Sequence, residues 1–401
     1  MSHAPHSLEL ASRLVDPALR RDTLAWLEGL RTPSGYRLWS GAPPHLLATC
    51  FAVFLRELHL DLPAPGSDEA TQLAEILLRE RDPASGRFDR NLECEELGPH
   101  HDRAYLSEQQ THFALQALRL LGRLEPVPGD LLEPWRQAGG LERHLAALDW
   151  NLPWRESNRV MFALYFLEQE AARTGEALWR TRLAEGLDWL RAAQRPSGLW
   201  GRHAERRVYD AVYGAYHYLF FFLHWENTFP RAGELLAATR RLQTTEGFFA
   251  HARGGGACED YDCVDILVKL GDDGDRPALL RCAGAVLDAH NPDGGFPWAR
   301  PRQSALPFLL GNVMPGLSAT ENAHLFIRRL RDVVRRRRRW RYSGLSSLEC
   351  PATASDVWST WFRTLILAEI DDRHLHSGAA WGFRDFPALG WHIPAKERIP
   401  A

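Results

Sequence analysis

The chain has 401 residues, of which 45% are hydrophobic and 25% charged, and its formal net charge at pH 7 is -3. That balance is ordinary for a soluble globular protein and excludes the overall basic field that draws a protein to nucleic acid; the length admits two or three average domains or one large helical or barrel unit. The six cysteines, Cys50, Cys94, Cys258, Cys263, Cys282 and Cys350, are too sparse for a disulfide framework and read as reduced thiols.

The N-terminal stretch MSHAPHSLELASRL lacks a basic region followed by an apolar core. The longest apolar run, YHYLFFFLHW at 216–225, is too short to cross a bilayer. A cytoplasmic protein without a transmembrane segment is therefore expected. Along the chain one form then recurs: LEGLRTPSGYRLW (27–39), LLRERDPASGRF (77–88), LRAAQRPSGLWG (190–201), RRLQTTEGFF (240–249) and LDAHNPDGGFPW (287–298). Each passes from a helical pattern through a polar or proline turn to a glycine and then an aromatic. The glycines Gly35, Gly86, Gly198, Gly247 and Gly295 are spaced by roughly 50 positions, with one interval about twice that, which points to a repeated two-helix unit with one degenerate turn. QAGGL at 137–141 is the candidate for the missing turn, and each glycine is read as a left-handed helix cap.

The helix before each turn is amphipathic, as in RTRLAEGLDWLRAAQ (180–194), and the one after it is far more apolar, as in VYGAYHYLFFFLHW (212–225) and VWSTWFRTLILAEI (357–370). Apolar helices belong in an interior layer and amphipathic ones in an outer ring. The expected fold is all-α: an (α/α)6 toroid of about six helical hairpins around a central cavity, with residues 1–401 forming a single domain. The tail 381–401, rich in proline and aromatics, is expected to clamp the ring or cover one mouth.

The apolar helices carry polar stripes. In chain order these are Asp210, Tyr213 and His217; Cys258, Asp262 and Asp265, with Glu259 and Cys263 beside them; Glu321, His324 and Arg328, on an inner helix expected over 320–334; and Asp356, Thr360 and Arg363, with Trp358 and Trp361 nearby. Helical spacing puts each set on one face, where it either lines the cavity or pairs with charges on neighbouring helices. Glu259 and Asp260 also suit capping of a helix N-terminus. The run RRRRRW at 335–340 reads as a solvated helix end, and GGG at 254–256 lacks the phosphate-loop pattern, so no nucleic-acid partner is expected.

LDWLRAAQRPSGLW (187–200), with Trp189 and Leu190 ahead of Gln194, then Gly198 and Trp200, resembles the QW motif of squalene–hopene and oxidosqualene cyclases. The other turns resemble the looser repeats of protein prenyltransferase β-subunits and other α/α-toroid proteins. The resemblance covers most of the chain at repeat level, and the chain has room for one of the two helical domains of a full-length cyclase. DYDC at 260–263 resembles the DxDD motif of class II terpene cyclases, with Asp262 in the middle position and Cys263 replacing the last aspartate.

The resemblance implies protonation-initiated cyclisation of an isoprenoid, a hydrophobic small molecule, in an aromatic cavity with an acidic mouth. Asp262 would be the proton donor within the cluster Glu259, Asp260 and Asp265; Asp210, Tyr213, His217, Glu321, Asp356, Trp358, Trp361 and Arg363 would surround the substrate. The prenyltransferase likeness implies instead a zinc ion and a helical partner subunit. Cys263 and His324 are the counterparts of its ligands, although the D-x-C spacing is absent. Magnesium stays open because it arrives with substrate phosphates. A carbohydrate-active lyase or hydrolase of α/α-barrel type and a non-catalytic ligand-binding toroid are further readings the sequence leaves open.

Overall fold

The computed structural model describes residues 3–95, 102–300, 305–313, 323–334 and 338–392. In chain order it contains α1 (His3–Val15), α2 (Pro17–Glu28), the hairpin of β1 (Arg31–Thr32) and β2 (Gly35–Tyr36), α3 (Leu46–Leu58), α4 (Asp68–Leu78), α5 (Arg103–Leu120), α6 (Gly129–Arg136), α7 (Gly140–Ala147), α8 (Pro153–Thr174), α9 (Ala177–Ala193), α10 (Val208–Glu226), α11 (Ala232–Arg240), α12 (Ala257–Leu270) and α13 (Arg276–Leu287). The short α14 (Ala305–Phe308), α15 (Ala323–Val334), the hairpin of β3 (Arg339–Arg341) and β4 (Glu349–Pro351), and α16 (Val357–Ile370) follow. No described helix is long and apolar enough to cross a membrane.

Six helices close into a ring: α3 packs on α5, α5 on α8, α8 on α10, α10 on α12, α12 on α16, and α16 back on α3. Their composition explains their place. Every residue of α16 is buried, as is the whole of α10 from Val208 to Phe222, so neither has a face to offer water. By contrast α9 buries a single stripe of Trp179, Arg182, Leu183, Gly186, Leu187 and Leu190, which it lays against α8 from outside. Helices α4, α9, α11 and α13 form the outer layer with α6, α7 and α2, giving the (α/α)6 toroid. The outer α2 comes from the N-terminus and docks on the last turn through Thr23 Oγ1, which donates to the Gly294 carbonyl at 2.9 Å.

Two of the recurrent turns share one construction. Gln194 Nε2 donates to the carbonyls of Gly198 (3.0 Å) and Pro230 (2.9 Å), and Gln243 Nε2 to those of Gly247 (3.0 Å) and Ala278 (2.7 Å). Each glutamine thus ties its own turn to the start of the next outer helix. Gly198 (φ 76°) and Gly247 (φ 94°) hold left-handed backbone, and a Cβ there would sit 2.7 Å from Leu235 N of α11 or Arg281 O of α13.

Three expectations about the turns are corrected. The glycine is not the helix cap, since α9 ends at Ala193 with Gln194 extended, and Gly198 N closes a separate turn on Arg195 O at 2.9 Å. In the fifth turn Gly294, not Gly295, holds the positive φ. The degenerate turn is the glycine-free 148–152 between α7 and α8, whereas Gly139 (φ 69°) in QAGGL breaks an outer helix into α6 and α7.

After the fifth turn the chain does not enter the ring at once, and 299–356 intervenes before α16. The inner helix expected over 320–334 is therefore overturned. Helix α15 is amphipathic, leaves Ile327 and Leu330 exposed, and lies across the ring, where Arg329 donates to Tyr209 Oη (2.9 Å) and the Leu242 carbonyl (3.0 Å). Glu321 and 335–337 lie outside the described residues, as does the His324 side chain. At the opposite end the described part of the tail, 381–392, packs on the ring. Arg384 is buried there, bonded to Glu57 of α3 (2.9 Å) and Gln116 of α5 (2.6 Å), with its guanidinium 3.9 Å from the Phe54 ring centroid.

Candidate active site

A cavity of about 610 Å³ lies inside the ring. Inner helices reach it with side chains four residues apart: Tyr105, Gln109 and Phe113 from α5, Trp154 and Asn158 from α8, Cys258 and Asp262 from α12, and Trp358 and Phe362 from α16. His217 of α10 and Glu259 of α12 join them, the fifth turn adds Trp298, the inserted segment adds Trp340 and Tyr342, and the tail closes the floor with Leu389. The aromatics form a continuous wall. Trp298 stacks on Trp340 at 4.8 Å between centroids, and Trp358 contacts both Tyr342 (4.5 Å) and Phe362 (4.3 Å).

Asp262 faces this cavity and is 2% exposed. Its carboxyl makes no hydrogen bond among the described residues, and Oδ2 is buried without a partner. Burial first, then the neighbouring carboxyls of Glu259, Asp265 and Asp260, push its pKa well above the ordinary carboxylate range. Both effects favour the protonated form of this carboxyl, which stands against aromatic rings. Burial also raises the Cys258 thiol, with Asp262 and Glu259 adding to the effect, so this cysteine is no thiolate nucleophile.

The other acids of the stretch have different surroundings. Asp260 Oδ1 accepts from the amides of Phe249 and Ala250, both at 2.7 Å, and Oδ2 from Gly256 N (3.0 Å) and Arg363 Nη1 (2.8 Å). It staples the 249–256 loop to the start of α12, and neither it nor Arg363 lines the cavity. Asp265 lies deeper, bonded to Lys269 and to Tyr261 Oη (3.3 Å), whose hydroxyl also reaches Glu369 (2.8 Å). Glu259 bends back over Gly256 while still touching the cavity.

Of the remaining polar stripes, His217 and Trp358 reach the cavity. Asp210 is drawn off by Arg328 of α15 at 3.0 Å, and Tyr213 packs edge-on against Trp154 at 5.1 Å. Asp356 caps α16 by accepting from Ser359 N at 2.8 Å, and burial raises its pKa to about 7. Thr360 Oγ1 accepts from Phe296 N at 2.9 Å, while Trp361 packs on Phe54 at 4.9 Å. The mouth differs from the acidic rim expected. The part-exposed Arg155 and the exposed Arg339 and Arg341 stand there, paired with Asp102, Glu349 and Glu349 respectively, and the acids line the wall within.

Tyr105, Gln109, Phe113, Trp154 and Asn158 were not found by sequence reasoning. On α5 the available signal was QQTH at 109–112, four consecutive buried polar side chains. Cys263 does not line the cavity; its thiol, raised by burial with Asp262, Asp260 and Cys282 near it, sits behind α12. Among the described residues no group of three or more His, Cys, Asp or Glu side chains converges on a metal position, and the His324 side chain of the Cys263–His324 set lies outside them.

No protein-family model matches the chain, and no curated protein matches it in sequence. Solved structures with a similar chain path include the type II terpene cyclase MstE from Scytonema in complex with geranylgeranyl dihydroxybenzoate, at 14% identity over 94% of this chain and 99% of that one, with a TM-score of 0.47. A glycosidase in complex with glucose aligns at 14% identity over 94% and 99% with a TM-score of 0.46, and a polysaccharide lyase at 11% over 91% and 96% with a TM-score of 0.44.

Proposed function

We propose that the protein is an acid-initiated cyclase of an isoprenoid, with Asp262 as the proton donor. The observation that supports this reading is a buried carboxyl with no hydrogen-bond partner among the described residues, its pKa raised by burial and neighbouring acids, facing an aromatic cavity. A carboxylic acid protonates an unactivated alkene only where its conjugate base and the resulting cation are both sheltered from water. In the proposed step the π electrons of a terminal alkene take the Asp262 proton, and a carbocation forms at the more substituted carbon. Internal alkenes then attack it, forming ring C–C bonds. The π faces of Trp340, Tyr342, Trp358 and Phe362 stabilise the moving charge, by about 0.5–2 kcal/mol each. The cavity volume lies within the range of small-molecule sites. No step passes through a metal.

A second reading, a carbohydrate-active enzyme, draws on the presence of two carboxyl groups, Glu259 and Asp262, on one cavity wall. One experiment separates the two. Purified protein is incubated in D2O with geranyl, farnesyl and geranylgeranyl substrates, each with and without a diphosphate, and in parallel with a polysaccharide panel. The cyclase reading predicts a ring-containing product carrying deuterium at the protonated carbon. Cleavage of a polysaccharide without isoprenoid turnover would support the second reading and overturn the first.

A further inference from the structure

His217 is a neutral, oriented base on the cavity wall, and two hydrogen bonds fix which of its nitrogens carries the proton. Ser157 Oγ on α8 lies 2.7 Å from the Trp154 carbonyl and 2.8 Å from His217 Nδ1 on α10. A carbonyl has no proton, so the single hydroxyl hydrogen must occupy the Oγ–carbonyl contact; two oxygens would otherwise face each other with lone pairs only. The hydrogen between Ser157 and His217 therefore belongs to Nδ1. Nε2 is left with its lone pair, has no protein partner among the described residues, and belongs to a ring that lines the cavity. Gly214 permits the close helix approach this needs, since a Cβ there would lie 3.0 Å from the Pro153 carbonyl and 3.2 Å from Ser157 Oγ.

Burial pushes the His217 pKa down to about 3, with no charged partner opposing it. The ring is thus uncharged at neutral pH and does not repel a carbocation, which is acidic enough to lose a proton to so weak a base. The neighbouring helix α12 carries Asp262 on the same cavity.

We propose that His217 Nε2 is the base that ends the reaction begun by Asp262, an assignment that rests on the cyclase reading above. The C–H bond beside the last cationic carbon breaks, its electron pair becomes the new C=C bond, and the proton passes to Nε2. The substrate is isomerised with no net change in atoms. One proton has moved from Asp262 to His217, and exchange with water restores both groups.

The test pairs product analysis with a measurement that needs no substrate. On an isoprenoid that the wild type cyclises, His217→Phe and His217→Gln should still take up deuterium from D2O. The native olefin should fall by at least about tenfold, replaced by other alkene isomers and by alcohols from water capture. In ¹⁵N-histidine-labelled protein, Nδ1 should carry the proton and Nε2 none between pH 5 and 8, and Ser157→Ala should remove that preference. An unchanged product at unchanged rate in both His217 variants, with the wild type active, would overturn the base assignment alone. So would a proton found on Nε2. A wild type that cyclises no isoprenoid would bring down the cyclase reading and this assignment together.

Discussion

Asp260 and Arg363 form a fully buried ion pair, 2.8 Å from Nη1 to Oδ2, that joins α12 to α16, while Asp262 two residues on faces the cavity without a partner. Neighbouring aspartates on one helix thus hold opposite positions. Removing one member of a buried pair leaves the other charge uncompensated, at a cost of about 3–5 kcal/mol. Asp260→Asn and Arg363→Met should each lower unfolding stability by that order in urea titrations. Asp262→Asn breaks no hydrogen bond or ion pair among the described residues and should stay within about 1 kcal/mol of wild type.

Stability should fall as pH rises through neutrality. Burial lifts the folded-state pKa of Asp356 from 3.8 to about 7 and that of Glu57 from 4.5 to about 7. A raised folded pKa contributes stability below the unfolded value that is lost as pH climbs through the folded one, by up to about 1.4 kcal/mol per pH unit and group. Buried His45, His59 and His217, depressed mainly by burial to about 4, 3 and 3, act in the opposite sense and lose stability as pH falls below 6.5. Melting curves from pH 5 to 8 should therefore show Asp356→Asn losing less stability on the alkaline side than wild type, since asparagine keeps the cap without the charge.

Gln194→Ala should destabilise by about 1–3 kcal/mol, because the carbonyls of Gly198 and Pro230 lose a shared donor. Gly198→Ala should cost more than Gln194→Ala, as it combines a left-handed backbone with a contact at 2.7 Å. Denaturant midpoints of the two variants check the order.

Arg384→Met should loosen the tail. It removes the partner of Glu57 and the bond to Gln116, both at the end of the ring on which the tail packs. Limited proteolysis should then cut the segment after α16 at least about tenfold faster than in wild type, the measure of a local opening about 1.4 kcal/mol easier.

The architecture was legible because its two signals are local. An all-apolar helix such as 212–225 declares an inner layer, and a polar turn with glycine marks where the chain passes to the next pair. The insertion 299–356 was not legible, because α15 has the amphipathic period of any helix and nothing local says that it lies outside the ring. In the site, the i, i+4 spacing of Cys258 and Asp262 reveals a shared face. It does not reveal that Asp260, two positions away, is taken up by three loop amides and an arginine more than a hundred positions along the chain. Tyr105, Trp154 and Trp340 look like ordinary packing aromatics until the ring brings their helices and the insertion together.

The central claim is that Asp262 is a transferable acid, and the most direct measurement is turnover of Asp262→Asn on the substrate the wild type cyclises. Asparagine keeps the shape and removes the proton, so the rate should fall by at least the 10²–10⁴-fold typical of general-acid catalysis, with melting temperature little changed. Glu259→Gln in the same assay should retain most activity. Full turnover by the folded Asp262→Asn protein would contradict the account.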